Sequence, residues 1–388
     1  MDYKKLLAEE KDYVLSLRRE FHMHPEKSWE EKRTSRRIKE ELDKLDIEYQ
    51  EYADTGVAAL IKGAKSGKTV ALRADMDALA VEENNEVEYK SQNKGVMHAC
   101  GHDGHTAMLL GAARAFNKIK DQLKGNIKLI FQPAEEVIQG AARMVKEGVL
   151  ENVDAILGIH LWSDLVTGQI NAQAGPRMAS GDKVMIDFKG KGGHGSLPNQ
   201  TVDPIVMASS FILDSQSILS REINSLDPAV FTLGKMESGS RFNVIPEDAR
   251  VEGTIRCFRE KIRNQAIKAV KRYAEKTASS YRGEAEIEIE KGTPPTINDD
   301  QCAKIAQKAA AKIVGSNKLV EMEKTTGSED MAYYLKEVPG AMVFVGAGFE
   351  NEEKNHPHHS ANFNINEDSL EIGTALYFNF ALEYLNSY

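Results

Sequence analysis

Apolar and polar residues alternate along the chain in two rhythms. Short continuous apolar runs at 69–74 (TVALRA), 127–131 (IKLIF), 155–159 (AILGI) and 341–345 (AMVFV) have the length of buried strands. Around them, apolar residues recur every three or four positions over 4–21, 30–45, 106–117, 138–147, 301–314 and 367–385, the period of amphipathic helices. Strands alternating with helices at both ends of a chain predict an α/β fold, a mostly parallel sheet flanked by helices.

The middle of the chain keeps a different order. From 182 to about 290 the pattern predicts strand (KVMIDFKG), helix (203–221), strand (230–236), strand (247–258), helix (260–281) and strand (285–290). This is the βαββαβ succession of a ferredoxin-like unit. Turn-rich stretches, GPRMASG at 175–181 and GTPP at 292–295, flank it. The expected organisation is a discontinuous catalytic domain, 1–180 with 292–388, interrupted by an inserted domain at 181–291. No repeat of 20–50 residues and no low-complexity tract stands in the sequence, which removes solenoid and propeller folds.

Each strand of the outer domain is followed by chemically capable residues: Asp75 and Asp77, then Pro133-Ala-Glu-Glu136, then His160, then a loop ending in His358 and His359. Ligands bind outside the carboxyl ends of strands in open α/β sheets. The most concentrated chemistry is His98-Ala-Cys-Gly-His-Asp-Gly-His105, directly before an apolar helix. Thiolate and imidazole suit zinc and its neighbours in the first transition row. Gly101 and Gly104 let the backbone turn tightly there. All ten histidines fall in five places and none lies between His194 and His356, so metal-capable residues come from remote segments.

Composition narrows the class. With 388 residues and 41% hydrophobic content the chain can bury a large core, and its length favours two domains. A net charge of −9 argues against nucleic-acid binding. No apolar run approaches the roughly 18 residues of a membrane span, and the opening residues mix charge signs without a signal-peptide core, so the expectation is a cytoplasmic protein with no membrane partner. Three cysteines are too few for a disulfide framework; Cys257 and Cys302 read as small buried apolar residues.

Cys100, His102, Glu136, His160 and His359 are the candidate metal ligands. One catalytic zinc takes about three protein ligands plus water, so five residues suit two ions sharing a bridge. Of the adjacent carboxylates Glu135 and Glu136, one would ligate and the other would take the proton of an activated water; spacing alone does not assign them. By itself His160 would be an ordinary packed histidine and Glu135-Glu136 an exposed pair. Their joint placement at strand ends favours the metal site.

These residues lie in segments that carry a family resemblance: RREFHMHPE (18–26), ALRADMDAL (71–79), MHACGHDGH (97–105), FQPAEE (131–136), GIH (158–160), GGHGSLPNQTVDPI (192–205), FNVIPEDARVEGTIR (242–256), TTGSEDMAYY (325–334) and HHSANFNINE (358–367). The chain resembles the dinuclear metal-dependent amidohydrolases related to aminoacylase and glutamate carboxypeptidase, in the branch of hippurate hydrolases, auxin-conjugate hydrolases and bacterial N-acyl-amino-acid deacetylases. The resemblance implies a zinc-peptidase-like catalytic domain, two divalent ions (zinc, manganese, cobalt or nickel) and hydrolysis of the amide bond of an N-acyl amino acid. Cys100, His102, Glu136, His160 and His359 match the family's ligands, and Glu135 its general base.

Asp77 matches an orienting position, because the preceding ligand histidine of distant relatives is Asp75 here. His194 matches a histidine that reaches a partner's active site across a homodimer formed by the inserted, lid-like domain, where it would stabilise an oxyanion. Asn243 and Arg256 match substrate-side positions, and Arg256 could form a fork to a substrate carboxylate or only a structural salt bridge. Ala361 stands where the family usually has proline. The same machinery would also serve a dipeptidase or carboxypeptidase.

Overall fold

The computed structural model describes residues 3–388. The chain divides into two compact units, the first formed by Met1–Gly175, Ile297–Glu323 and Asp330–Tyr388, the second by Pro176–Thr296 and Lys324–Glu329.

The first unit is built on a seven-stranded sheet. In spatial order its strands are Tyr49–Tyr52, Gly56–Lys62, Lys124–Gln132, Lys65–Asp75, Ala155–Val166, Gly340–Gly348 and Ile170–Asn171. The four strands that the apolar runs predict, Lys124–Gln132, Lys65–Asp75, Ala155–Val166 and Gly340–Gly348, are adjacent and parallel. The flanking strands, which the sequence pattern had not marked, pair antiparallel at both edges. Parallel strands are covered on both faces and so read as unbroken apolar runs. Gly340–Gly348 is buried along its whole length.

Helices Lys11–Met23, His102–Ile119, Asp300–Val314 and Ser369–Ser387 share one apolar core with this sheet. The periodicity over 4–21 resolves into two helices, Tyr3–Ala8 and Lys11–Met23. The break falls at Glu10, which is buried because its carboxylate meets Arg114 Nε at 2.8 Å and Lys118 Nζ at 2.6 Å. The strand expected at 155–159 runs on to Val166, so His160 lies inside it, opposite Phe344, rather than after its end.

The second unit is a four-stranded antiparallel sheet in the order Ala229–Ser238, Asp248–Cys257, Asp182–Lys189, Glu284–Lys291. With helices Pro204–Asp214 and Glu260–Ser280 between strands, this is the ferredoxin-like βαββαβ arrangement. The helical pattern at 203–221 ends at Asp214 and resumes as a π-helical turn, Ile218–Glu222. Asp203 caps the first helix, accepting the Ile205 N–H, ahead of Pro204 at its first position.

Candidate active site

In the first unit, Cys100 closes the loop before helix His102–Ile119, and Gly101, at φ 90°, makes the left-handed entry to that helix. Sγ of Cys100 lies 3.5 Å from Nε2 of His160. Sulfur and nitrogen bound at about 2.3 and about 2.0 Å to one tetrahedral ion would stand about 3.5 Å apart. Oε2 of Glu136 is 3.5 Å from Nε2 of His359, and Oε1 is 3.9 Å from Nε2 of His102. Cys100, Glu136 and His359 place ligand atoms within 4.8 Å of one another, as do His102, Glu135 and Glu136. These two clusters share Glu136, and His160 joins at Cys100 in a third cluster completed by His358, which stands outside the expected ligand set.

The side chains suit a cation. His102 Nε2 and Glu136 Oε1 are buried and make no hydrogen bond, a costly state for polar atoms unless something pairs with them. Burial, then the neighbouring Glu136, pushes the Cys100 thiol well above its ordinary range, and burial pushes Glu136 up to about 7. A cation among them favours the thiolate and carboxylate forms. Burial, followed by His105 and His358, holds His160 well below the ordinary imidazole range, in the neutral form that binds metals.

Hydrogen bonds orient these rings. His102 places Nδ1 3.0 Å from the Asp77 carbonyl, and His160 places Nδ1 2.7 Å from the Leu161 carbonyl; each carbonyl accepts an N–H, which leaves both Nε2 lone pairs for a ligand. Leu161 in turn donates its N–H to Nε2 of His105 at 2.9 Å, so His105 carries its proton on Nδ1 and donates to Asp75 at 2.5 Å. Asp75 is clasped by Arg73 at 2.8 Å. Against the cost of burial, Arg73 and the two histidines hold this carboxyl well below the carboxylate range. His358 accepts the Ser163 N–H on Nε2 at 3.3 Å and turns Nδ1 toward Cys100 Sγ at 3.8 Å.

Glu135 and Glu136 sit on a sharp loop after strand Lys124–Gln132. Ala134 has φ 54° and Ile138 φ 60°, and a Cβ on Gly140 would come within 1.6 Å of the Pro133 carbonyl oxygen. Asp77 receives the N–H groups of Glu135 and Glu136 on its two oxygens, each at 3.0 Å, and the Ser28 hydroxyl at 2.6 Å. Its carboxylate is thereby committed to holding the loop. Glu31 accepts the N–H of the preceding Ala134 at 2.9 Å. Neither Ser28 nor Glu31 was marked by the sequence, since accepting or supporting a backbone amide leaves no characteristic spacing.

The other expected residues belong to the second unit. His194 lies on a short strand, Gly193–His194, paired with Val244–Ile245, which brings it beside Asn243. The ring is exposed. Its Nδ1 accepts both the N–H of Ser196 at 3.2 Å and the Ser196 hydroxyl at 2.7 Å, so a neutral His194 carries its proton on Nε2. Arg256, near the end of strand Asp248–Cys257, donates from Nη1 to Ser328 Oγ at 2.6 Å. Among the described residues it makes no ion pair, unlike Arg263 nearby, which pairs with Asp182 at 2.6 Å. Cys257 and Cys302 are buried, and burial pushes each thiol up to about 12.

The chain resembles known proteins in sequence and in fold. The model of peptidase family M20/M25/M40 matches residues 71–383. The chain is 39% identical to thermostable carboxypeptidase 1 of Saccharolobus solfataricus over 388 residues, covering 99% of this chain and 98% of the relative. It is 39% identical to an N-acetyl-L-cysteine deacetylase of Bacillus subtilis over 358 residues, 92% of this chain and 84% of the relative. Among solved structures, a dinuclear metal-binding M20-family peptidase of Bacillus subtilis superposes with a TM-score of 0.87 at 34% identity, covering 97% and 99% of the two chains.

Proposed function

The chain belongs to peptidase family M20/M25/M40, and from that footing we propose that it hydrolyses the amide bond of N-acyl amino acids, releasing a carboxylic acid and a free amino acid. The observation that carries this reading is the pair of linked clusters Cys100–Glu136–His359 and His102–Glu135–Glu136, which share Glu136, with His160 beside Cys100. Cys100, His102, Glu136, His160 and His359 would hold two divalent ions, drawn from zinc, manganese, cobalt or nickel. Such ions, when bound, polarise an acyl carbonyl and make a water acidic near neutral pH.

The chain's own residues do the rest. Glu135 takes the proton of the attacking water, and its carboxyl returns that proton to the leaving amine as the C–N bond breaks. Asp77 keeps Glu135 and Glu136 in place by holding their amides. His194 offers Nε2–H to the oxyanion that forms on the acyl oxygen. Arg256, which lacks an acidic partner among the described residues, pairs with the substrate carboxylate, and Asn243 lies beside His194 on the same ribbon.

We assign the second unit to homodimer formation. Strand Ala229–Ser238 is an edge of its sheet, and Leu213 and Phe242 are 74% and 100% exposed. Edge strands and large exposed apolar side chains are features that partners cover. His194 of one subunit then serves its partner's site. The proposed place of work is the cytoplasm, on a small-molecule substrate; the three cysteines are free thiols, and among the described residues no helix is long and apolar enough to cross a membrane.

A second reading, cleavage of a carboxy-terminal residue or a dipeptide, is favoured by the likeness to a carboxypeptidase over nearly the whole chain. A panel of N-acetyl, N-benzoyl and dipeptide substrates, run on protein reconstituted with each of the four metals, separates the two. The proposal expects the highest kcat/KM on an N-acyl amino acid; a preference for dipeptides selects the second reading, and metal-independent turnover refutes both.

A further inference from the structure

Glu31 is fully buried, stands at the start of helix Lys32–Lys44, and among the described residues pairs with no cation. It faces a second buried carboxylate, Asp77; burial first, and Asp77 among the further causes, push it up to about 7. A carboxyl kept in so unfavourable a place needs a reason, because unpaired buried charge is costly. The reason lies in its donors. Oε1 accepts the Ala134 N–H at 2.9 Å and the Trp29 N–H at 3.0 Å, and Oε2 accepts the Thr55 hydroxyl at 2.8 Å.

Three successive amides of the loop, those of Ala134, Glu135 and Glu136, are thus each received by a buried carboxylate oxygen. Ala134 is the residue held at φ 54°, a left-handed conformation that costs a non-glycine residue on the order of 1 kcal/mol or more. Its amide is the point at which the loop turns to present Glu135. The acceptor is itself braced from the same stretch of chain, where Trp29 has φ 68° and Ser28 holds Asp77. Segment 28–31 therefore grips the loop at two places.

We infer that Glu31 is a positioning residue for the reaction, fixing through the Ala134 amide the conformation in which Glu135 and Glu136 point into the site. The inference rests on the assignment of Glu135 as the base. Glu31 acts as a hydrogen-bond acceptor toward Ala134, Trp29 and Thr55, none of which is a candidate ligand. Glutamine supplies the same Oε1 acceptor, and leucine of similar size supplies none.

The test compares Glu31→Leu with Glu31→Gln for kcat, KM, bound metal and hydrogen exchange of the amides in 133–139. Glu31→Leu should lower kcat about 10- to 100-fold at saturating metal with KM within about twofold, should weaken metal binding because Glu136 is a ligand on the same loop, and should speed exchange of those amides. Glu31→Gln should stay close to the unmodified protein in both readouts. Unchanged exchange and kcat in Glu31→Leu would overturn the inference, and so would a loss in Glu31→Gln as large as in Glu31→Leu. Should the leucine variant fail to fold, Thr55→Val removes only the hydroxyl that braces Oε2; it should speed exchange of 133–139, and no change in exchange or kcat would overturn the inference. If the unmodified protein cleaves no N-acyl amino acid, the functional reading fails while the exchange measurement still decides the role of Glu31.

Discussion

His105 accepts on Nε2 the backbone N–H of Leu161, at 2.9 Å. The carbonyl of the same Leu161 lies 2.7 Å from Nδ1 of His160, so one peptide neighbourhood links the two imidazoles. His105, anchored on Asp75 and Arg73, thereby sets the backbone that sets the tautomer of His160. Partners of this kind typically contribute about 10- to 100-fold in metal affinity. His105→Ala should weaken metal binding by that amount in a competitive chelator titration, with the fold retained by circular dichroism. Unchanged affinity would mean that strand Ala155–Val166 orients His160 unaided.

His194 is exposed, and its substitution should leave thermal stability within about 0.5 kcal/mol. Loss of an oxyanion donor costs on the order of 10²- to 10³-fold in kcat. His194→Ala should show that loss with metal content intact, and Ser196→Ala a smaller one, since the Ser196 N–H still holds Nδ1. If the residue acts across a dimer, mixing His194→Ala with Glu135→Gln subunits should restore activity. An unimpaired His194→Ala protein would remove the residue from the mechanism.

Glu367 ties the first long helix to the loop before the last one. It receives Arg19 Nε at 2.9 Å and Nη2 at 2.6 Å, and Arg18 Nη1 at 3.1 Å. Burial opposes its charge, but Arg19 and Arg18 prevail and hold the carboxyl below the ordinary glutamate range. A carboxylate whose pKa is lowered by folding stabilises the protein above its unfolded pKa, and the contribution fades as pH falls through the lowered value. Glu367→Ala should cost about 2 kcal/mol at pH 7, read as a drop in Tm, and the gap to the unmodified protein should narrow at pH 3. A gap of equal size at both pH values would contradict this.

The parts of the fold visible in the sequence were those whose pattern has a single physical cause. Runs such as AMVFV are unbroken because both faces of a parallel strand are covered, and helix periodicity survives wherever one face stays wet. Strand Tyr49–Tyr52 escaped because it is largely polar and exposed, and Gly56–Lys62, though apolar and buried, because a short apolar run suits helix and strand alike. Helix His102–Ile119 starts four residues before its apolar period, because its first turn is spent on His102, Asp103 and His105 rather than on packing. The ligand residues were legible because metal binding restricts residue type. Glu31 and the Leu161 bridge were not, because a backbone amide can be received by any acceptor that reaches it, and Ser28 was not, because any hydroxyl within reach can donate to a carboxylate such as that of Asp77. Their roles exist only in three dimensions.

The central claim, amide hydrolysis with Glu135 as the base beside a metal site formed by Cys100, His102, Glu136, His160 and His359, is tested most directly by one paired measurement. Turnover of an N-acyl amino acid and metal content per subunit are determined for Glu135→Gln beside the unmodified protein. The account predicts equal metal content and a loss of nearly all turnover, since the amide keeps the shape of the side chain but cannot take the proton of water at neutral pH. Retained turnover at full metal content would contradict it.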